Sequence, residues 1–188
     1  MTVPATGADL TGDYDLDVAH TRLGFVARHA MVTKVRGSFR EFEGHLHIDT
    51  ADPTKSTGTL RIVTASIDTG VEQRDEHLRS NDFFDMPSYP EITFVSTGIE
   101  HVEADTYQVT GDLTIKDTTK AVVFDVEFTG SAVDPMGNHR LGFEATATVN
   151  RKDWGITWNA PLEAGGVLVS DKITLDIDIS AIQRLPAG

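Results

Sequence analysis

Most of this chain alternates apolar and polar residues with a period of two, in short runs separated by turn residues. The run from Ile173, with Leu175, Ile177 and Ile179 on one side and Thr174, Asp176, Asp178 and Ser180 on the other, is the clearest case. Successive side chains of a strand point to opposite faces, so such a run buries one face and wets the other. The same reading applies to Leu23, Phe25, Ala27 and His29; to Tyr107, Val109, Gly111, Leu113 and Ile115; to Val122, Phe124, Val126 and Phe128; and to Leu141, Phe143, Ala145, Ala147 and Val149. Turns fall at Asp52-Pro53, Gly98 to Asp105, Lys116 to Lys120, and around Pro135, Gly137 and Asn138. About eight strands at hairpin spacing predict an all-β antiparallel barrel or sandwich. Gly37 and Gly44 are expected to mark bulges or bends in a curved sheet.

Helical character occurs once, between Ser66 and Phe94. Thr69 followed by Glu72 matches a capping box, which satisfies backbone N–H groups left unpaired at a helix start. A helix over about 70–80 is predicted, with Asp75 and Arg79 as an i,i+4 pair. Val71 and Leu78 give it only a thin apolar face, so it should lie on a surface as a cap. Asp82 to Met86 makes a further turn before Pro87, and Tyr89-Pro90 returns the chain to extended backbone at Ile92.

This stretch resembles the YceI-like family, lipocalin-like proteins that bind polyisoprenoid-type lipids. The resemblance rests on SIDTG, RDEHLRS, DFFD and YPEITF, with HTRLGFVARHAM matching the family's first strand, and it covers about residues 14–179. Asp117 and Ala121 stand where the family usually carries Gly and Pro, a departure confined to a turn. The resemblance implies a single eight-stranded lipocalin-like β-barrel over 13–182 with one inserted helical cap, leaving a flexible tail at 1–12 and another at 183–188. It also suggests a homodimer.

Composition narrows the functions. There are 16 basic and 29 acidic residues, a net charge of −13, and such a surface repels nucleic acid and anionic membranes. Neither nucleic-acid binding nor stable membrane insertion is expected, although a local basic cluster still suits one small anion. Without cysteine there is no disulfide, thiolate nucleophile or cysteine metal site. The beginning of the chain does not read as a secretory signal and no run is long enough to span a bilayer, so a cytoplasmic protein is expected. No hydrolase elbow, zinc-protease or nucleotide-binding motif is present. His45 and His47 share a strand face as two zinc ligands would, but opposite Leu46 and Ile48, on what reads as the solvent side. No metal and no cofactor is expected.

A barrel of about eight strands is either filled by side chains or holds one small ligand. Ala27, Thr64, Gly111, Ala145 and Ala147 lie among large apolar neighbours, and the residues alone leave a solid core and a hollow equally open. The resemblance implies the hollow. The candidate ligand contacts are then Phe25, Ala27, His29, Phe39, Ile62, Leu113, Phe124, Phe143, Ala145 and Ala147 on the wall, Leu78 and Phe83 on the cap, and Trp154 and Trp158 near its end. Arg74, His77, Arg79 and Arg151 are headgroup candidates, suited to a diphosphate or carboxylate; the alternative is a web that pins the cap. The expected function is binding, storage or transport of a long-chain lipid (a polyisoprenoid, isoprenoid quinone or fatty-acid derivative) without catalysis. The alternatives are an enzyme using His29 or His77 as general base, and a solid structural barrel.

Overall fold

Eleven strand segments form one antiparallel sheet that closes on itself, because β1 (Gly12–Leu16) pairs with both β4 (Phe42–Ile48) and β11 (Lys172–Gln183). This computed structural model describes residues 9–163 and 165–185. The eleven segments make eight walls, since three walls are broken in two. β1 and β2 (Arg22–His29) both lie along β11; β3 (Thr33–Phe39) and β4 form the next wall; β5 (Thr57–Val63) and β6 (Ile67–Asp68) form the third. β7 (Glu91–Glu103), β8 (Thr106–Ile115), β9 (Thr118–Val133) and β10 (His139–Asn150) complete the barrel as long hairpins.

The breaks have local causes. Asp17 caps a 3-10 turn at Val18–His20, its carboxylate accepting from Ala19 N–H at 3.1 Å. The other two breaks are stitched together: Arg40 N–H donates to Ser66 O at 3.1 Å and Val63 N–H to Glu41 O at 2.9 Å. Gly37 and Gly44, expected as bends, sit inside β3 and β4 and have another use. A methyl group on Gly37 would run into the Phe25 ring, and one on Gly44 would lie 2.6 Å from Leu16 Cδ1.

The helix is shorter than predicted, α1 at Glu72–Arg79. The capping box does not form: Val71 occupies the cap position and no side chain bonds there. Asp75 does not pair with Arg79. Its carboxylate turns back to Thr69, leaving Arg79 to donate to Ala65 O at 3.0 Å and to Glu72 at 3.2 Å. A buried carboxylate needs close donors, and Asp75, only 4% exposed, finds them on Thr69 while Arg79 is taken up by Ala65 and Glu72.

Both ends of the domain are tied in further than expected. Tyr14 hydroxyl donates to Leu10 O at 2.7 Å, and Thr11 and Thr50 hydroxyls meet at 2.8 Å. Gln183 ends β11, while Arg184 N–H donates to Asp13 O at 2.7 Å. Of the expected tails at 1–12 and 183–188, residues 1–8 and 186–188 lie outside the described residues. No described helix is long and apolar enough to cross a membrane.

Candidate functional site

The inward faces of the walls do not meet. One cluster of buried residues (Leu23, Phe42, Ile62, Ile92, Leu113, Phe124 and Trp154 among them) fills the cap end, and a second, built on Tyr14, Leu141 and Ala181, closes the far end. Burial pushes the Tyr14 phenol up, with the Asp9 charge adding to it. A cavity of about 510 Å³ runs along the barrel and reaches both regions. That size is ordinary for a small-molecule site, at about 300–1,000 Å³.

Its wall is overwhelmingly apolar. Phe25, Ala27, Phe39, Ile62, Leu113, Phe124, Phe143, Ala145 and Trp154 line it, and Leu78 and Phe83 of the cap segment close over it. Ile173, Leu175, Ile177 and Ile179 add a continuous aliphatic stripe from β11. The polar lining gathers at the end away from the cap, where Asp49, Thr50, Ser56, Thr57, Thr59 and Ser96 contribute. The alternation of β5 does not predict this rim, because it depends on the Asp49 to Ser56 loop folding back beneath the barrel. Asp49 N–H donates to Ser56 Oγ, and Asp52 N–H to Asp49 Oδ1, each at 2.9 Å.

Gly111 was expected to leave room, but the Phe94 ring takes it: a methyl group there would collide with that ring. Phe94 in turn packs edge-on against Phe124 with centroids 5.4 Å apart. Three of the expected ligand contacts lie off the cavity lining. His29 ends β2 beyond the lining residues Phe25 and Ala27 and is exposed where the strand gives way to the turn. Ala147 is buried within the cap-end cluster and does not border the cavity. Trp158 sits on the cap against His77 (4.6 Å) and Phe83 (5.4 Å).

Trp154 is held by a 3-10 turn at Arg151–Trp154, capped by Asn150 and ended by Gly155 in the left-handed region at φ 74°. Its Nε1–H donates to Leu113 O at 2.9 Å, which orients the ring against the cavity. The four headgroup candidates are engaged within the protein. Arg74 donates to the hydroxyl and carbonyl oxygens of Thr69, both at 2.7 Å. His77 contacts Asp82 at 2.8 Å, and Arg79 holds the broken wall at Ala65. Those three lie outside the cavity lining; only Arg151 borders it. Its guanidinium is 5% exposed and donates to Ser170 O, Ile156 O and Trp158 O, all within 3.0 Å. Burial pulls its pKa down, opposed by the Asp171 carboxylate 3.7 Å away. Helix position alone does not reveal these partners, because most are backbone carbonyls of other segments. His45 and His47 are exposed and pair with Asp15 and Asp13 across the β1–β4 ladder. Among the described residues no group of three or more His, Asp or Glu is placed to hold a metal.

A profile of the YceI-like domain matches residues 14–181. A Staphylococcus epidermidis UPF0312 protein is 40% identical over 164 residues, covering 87% of this chain and 93% of that one. A Campylobacter jejuni YCEI protein of known structure is 28% identical with a TM-score of 0.73, covering 84% of this chain and 90% of that one. A Saccharophagus degradans structure described as a polyisoprenoid binding domain shares the fold at 15% identity, with a TM-score of 0.69 over 91% of this chain and 98% of that one.

Proposed function

The chain belongs to the YceI-like family, and from that premise we propose that it binds and carries a long-chain apolar lipid inside the barrel. The observation that carries this reading is the cavity itself, about 510 Å³ walled by aliphatic and aromatic side chains from all around the sheet. Water is disfavoured in such a space, and each Å² of apolar chain taken from water contributes about 25 cal/mol. That attraction is non-directional, so chain length and flexibility matter more than pattern. A polyprenyl chain, as the description of the S. degradans domain suggests, meets both demands.

The polar end of the ligand is uncharged or weakly polar on this reading. Among the described residues the one cation at the wall is Arg151, which already donates to three carbonyls. The hydroxyl-rich rim at Thr50 to Thr59 suits an alcohol or a quinone oxygen. A catalytic reading is disfavoured because His29 is exposed and His77 is paired with Asp82, both away from the cavity lining. Native mass spectrometry after incubation with a polyprenyl alcohol, an isoprenoid quinone and a fatty amide tests the proposal. A stoichiometric adduct with at least one is expected; no adduct with any of them sinks it.

A further inference from the structure

We propose that the hairpin joining β2 and β3 docks the protein on an anionic lipid bilayer, where it exchanges its cargo. This rests on the lipid-binding reading above. In a chain of net charge −13, residues 21–40 hold five Arg or Lys and no Asp or Glu. Strand register gathers three of them, with Lys172 of β11, at the cap end. Arg28 stands opposite Lys34, Arg36 follows on the same outward face, and Lys172 precedes Thr174, which pairs with Val26. All four side chains are exposed. Like charges directly opposite destabilise a sheet, and among the described residues none of the four has a carboxylate within 4.0 Å. Asp171, beside Lys172, is held by Lys152 at 3.3 Å. Arg28 also donates to Val32 O at 3.2 Å across the turn, but no carboxylate balances the charge of the row, and an anionic surface would.

The tip of the same hairpin is apolar. Met31 is 59% and Val32 75% exposed, on a turn whose Ala30 and Met31 both have positive φ (51° and 63°). Such turns favour Gly or Asn at both positions, so an exposed methionine there is unfavourable both in backbone and in solvation. Val167 adds to the patch, next to Gly166, whose Cβ would lie 3.0 Å from Met31 Sδ. An apolar tip within a basic collar suits the headgroup boundary of an anionic leaflet, with the tip in the acyl edge and the cations on phosphates. Nucleic acid has no use for the tip. The surface is also continuous with the cavity: Phe25 and Ala27 of this hairpin line it, and Ala30 N–H donates to Leu168 O at 2.7 Å beside the lining residue Val169. A lipid lifted through this end with its polar group leading would come to rest with that group at the Thr50–Thr59 rim.

Co-sedimentation of the full chain with vesicles of phosphatidylcholine alone, or mixed with phosphatidylglycerol, tests the inference. Binding to the mixed vesicles should exceed binding to the neutral ones by at least about tenfold and weaken as salt shortens the Debye length from about 10 Å at 0.1 M to about 3 Å at 1 M. Lys34→Glu with Arg36→Glu should reduce it by about tenfold or more. Met31→Asn with Val32→Ser should reduce it as well; Asn tolerates the turn, and an unchanged thermal midpoint shows that the barrel survives. A fluorescent fatty acid delivered from detergent micelles gives the separate readout, and both variants should take it up like the parent. If the parent takes up the probe but does not prefer anionic vesicles, or if neither variant changes vesicle binding, docking is overturned and the lipid reading stands. If the parent takes up no probe, the lipid reading falls first. Tighter, charge-dependent binding to polyglutamate or to duplex DNA than to vesicles would reassign the patch to an acidic protein or a nucleic acid and overturn the proposal.

Discussion

A single carboxylate oxygen of Asp75 accepts both the backbone N–H (2.9 Å) and the hydroxyl of Thr69, so the helical cap is tied to the chain that leads into it. Arg74 then closes a ring of contacts on the same threonine at 2.7 Å. The cap therefore depends on one buried carboxylate more than on its thin apolar face.

That relationship orders two substitutions. Thr69→Ala removes hydroxyl bonds and should cost about 1–2 kcal/mol; Asp75→Ala also strands a half-buried N–H and should cost about 2–3 kcal/mol. Chemical denaturation measures both. Hydrogen exchange in the Asp75 variant should speed up over 70–86 while β8 to β10 keep their protection. Equal loss everywhere would mean that the segment unfolds only with the barrel.

Ala145 and Ala147 lie on the same face of β10, yet only Ala145 borders the cavity. Ala145→Phe should fill the hollow and abolish lipid uptake with native circular dichroism and little change in stability. Ala147→Phe must enlarge a packed cluster and should cost about 1–3 kcal/mol. Thermal melts alongside uptake assays separate the two, and an unchanged uptake in the Ala145 variant would place the lipid elsewhere.

Gly111 gives the Phe94 ring its place, and a Cβ there would also stand 2.7 Å from the Val95 carbonyl oxygen. Gly111→Ala should therefore push the ring inward and lower stability by about 1–3 kcal/mol. Pairing it with Phe94→Leu should restore stability and uptake together. If the double variant is no better than Gly111→Ala alone, the backbone contact dominates.

Arg140 donates to Asp17 at 2.6 Å and to Asp134 at 2.7 Å, and it is the main reason both carboxyls titrate below the usual range. A depressed folded-state pKa contributes stability that is fully present above the unfolded value, about 3.9, and is lost as pH falls through the folded one. The parent's thermal midpoint should thus hold from neutral pH to about pH 5 and fall below about pH 4. Arg140→Met should start lower at neutral pH and lose less on acidification. Parallel acid limbs in the two proteins would show that these pairs do not set the slope.

The strand faces were legible because side-chain alternation is a local property of extended backbone. Phe25, Phe39, Leu113, Phe124 and Phe143 turn inward as their neighbours' polarity required. Family membership was also readable, from short stretches around the helix. His29 and Trp158 were misplaced for a related reason: periodicity tells which side a residue faces, but not where a strand stops or how a loop folds over it.

The sequence by itself determined an all-β antiparallel barrel or sandwich with one helical interruption, since burial of one face per strand follows from the alternation, and the family resemblance in its motifs chose the barrel. Only the tertiary structure decided that the barrel is hollow, that Phe94 takes the space at Gly111, and that Arg74, Arg79 and Arg151 donate to the protein's own oxygens. Those outcomes depend on atoms from distant segments meeting within about 3 Å, the range in which hydrogen bonds form and packing is settled. Short-range pattern carries no information about such meetings, which is why the walls could be read from the sequence and the occupancy of the space between them could not.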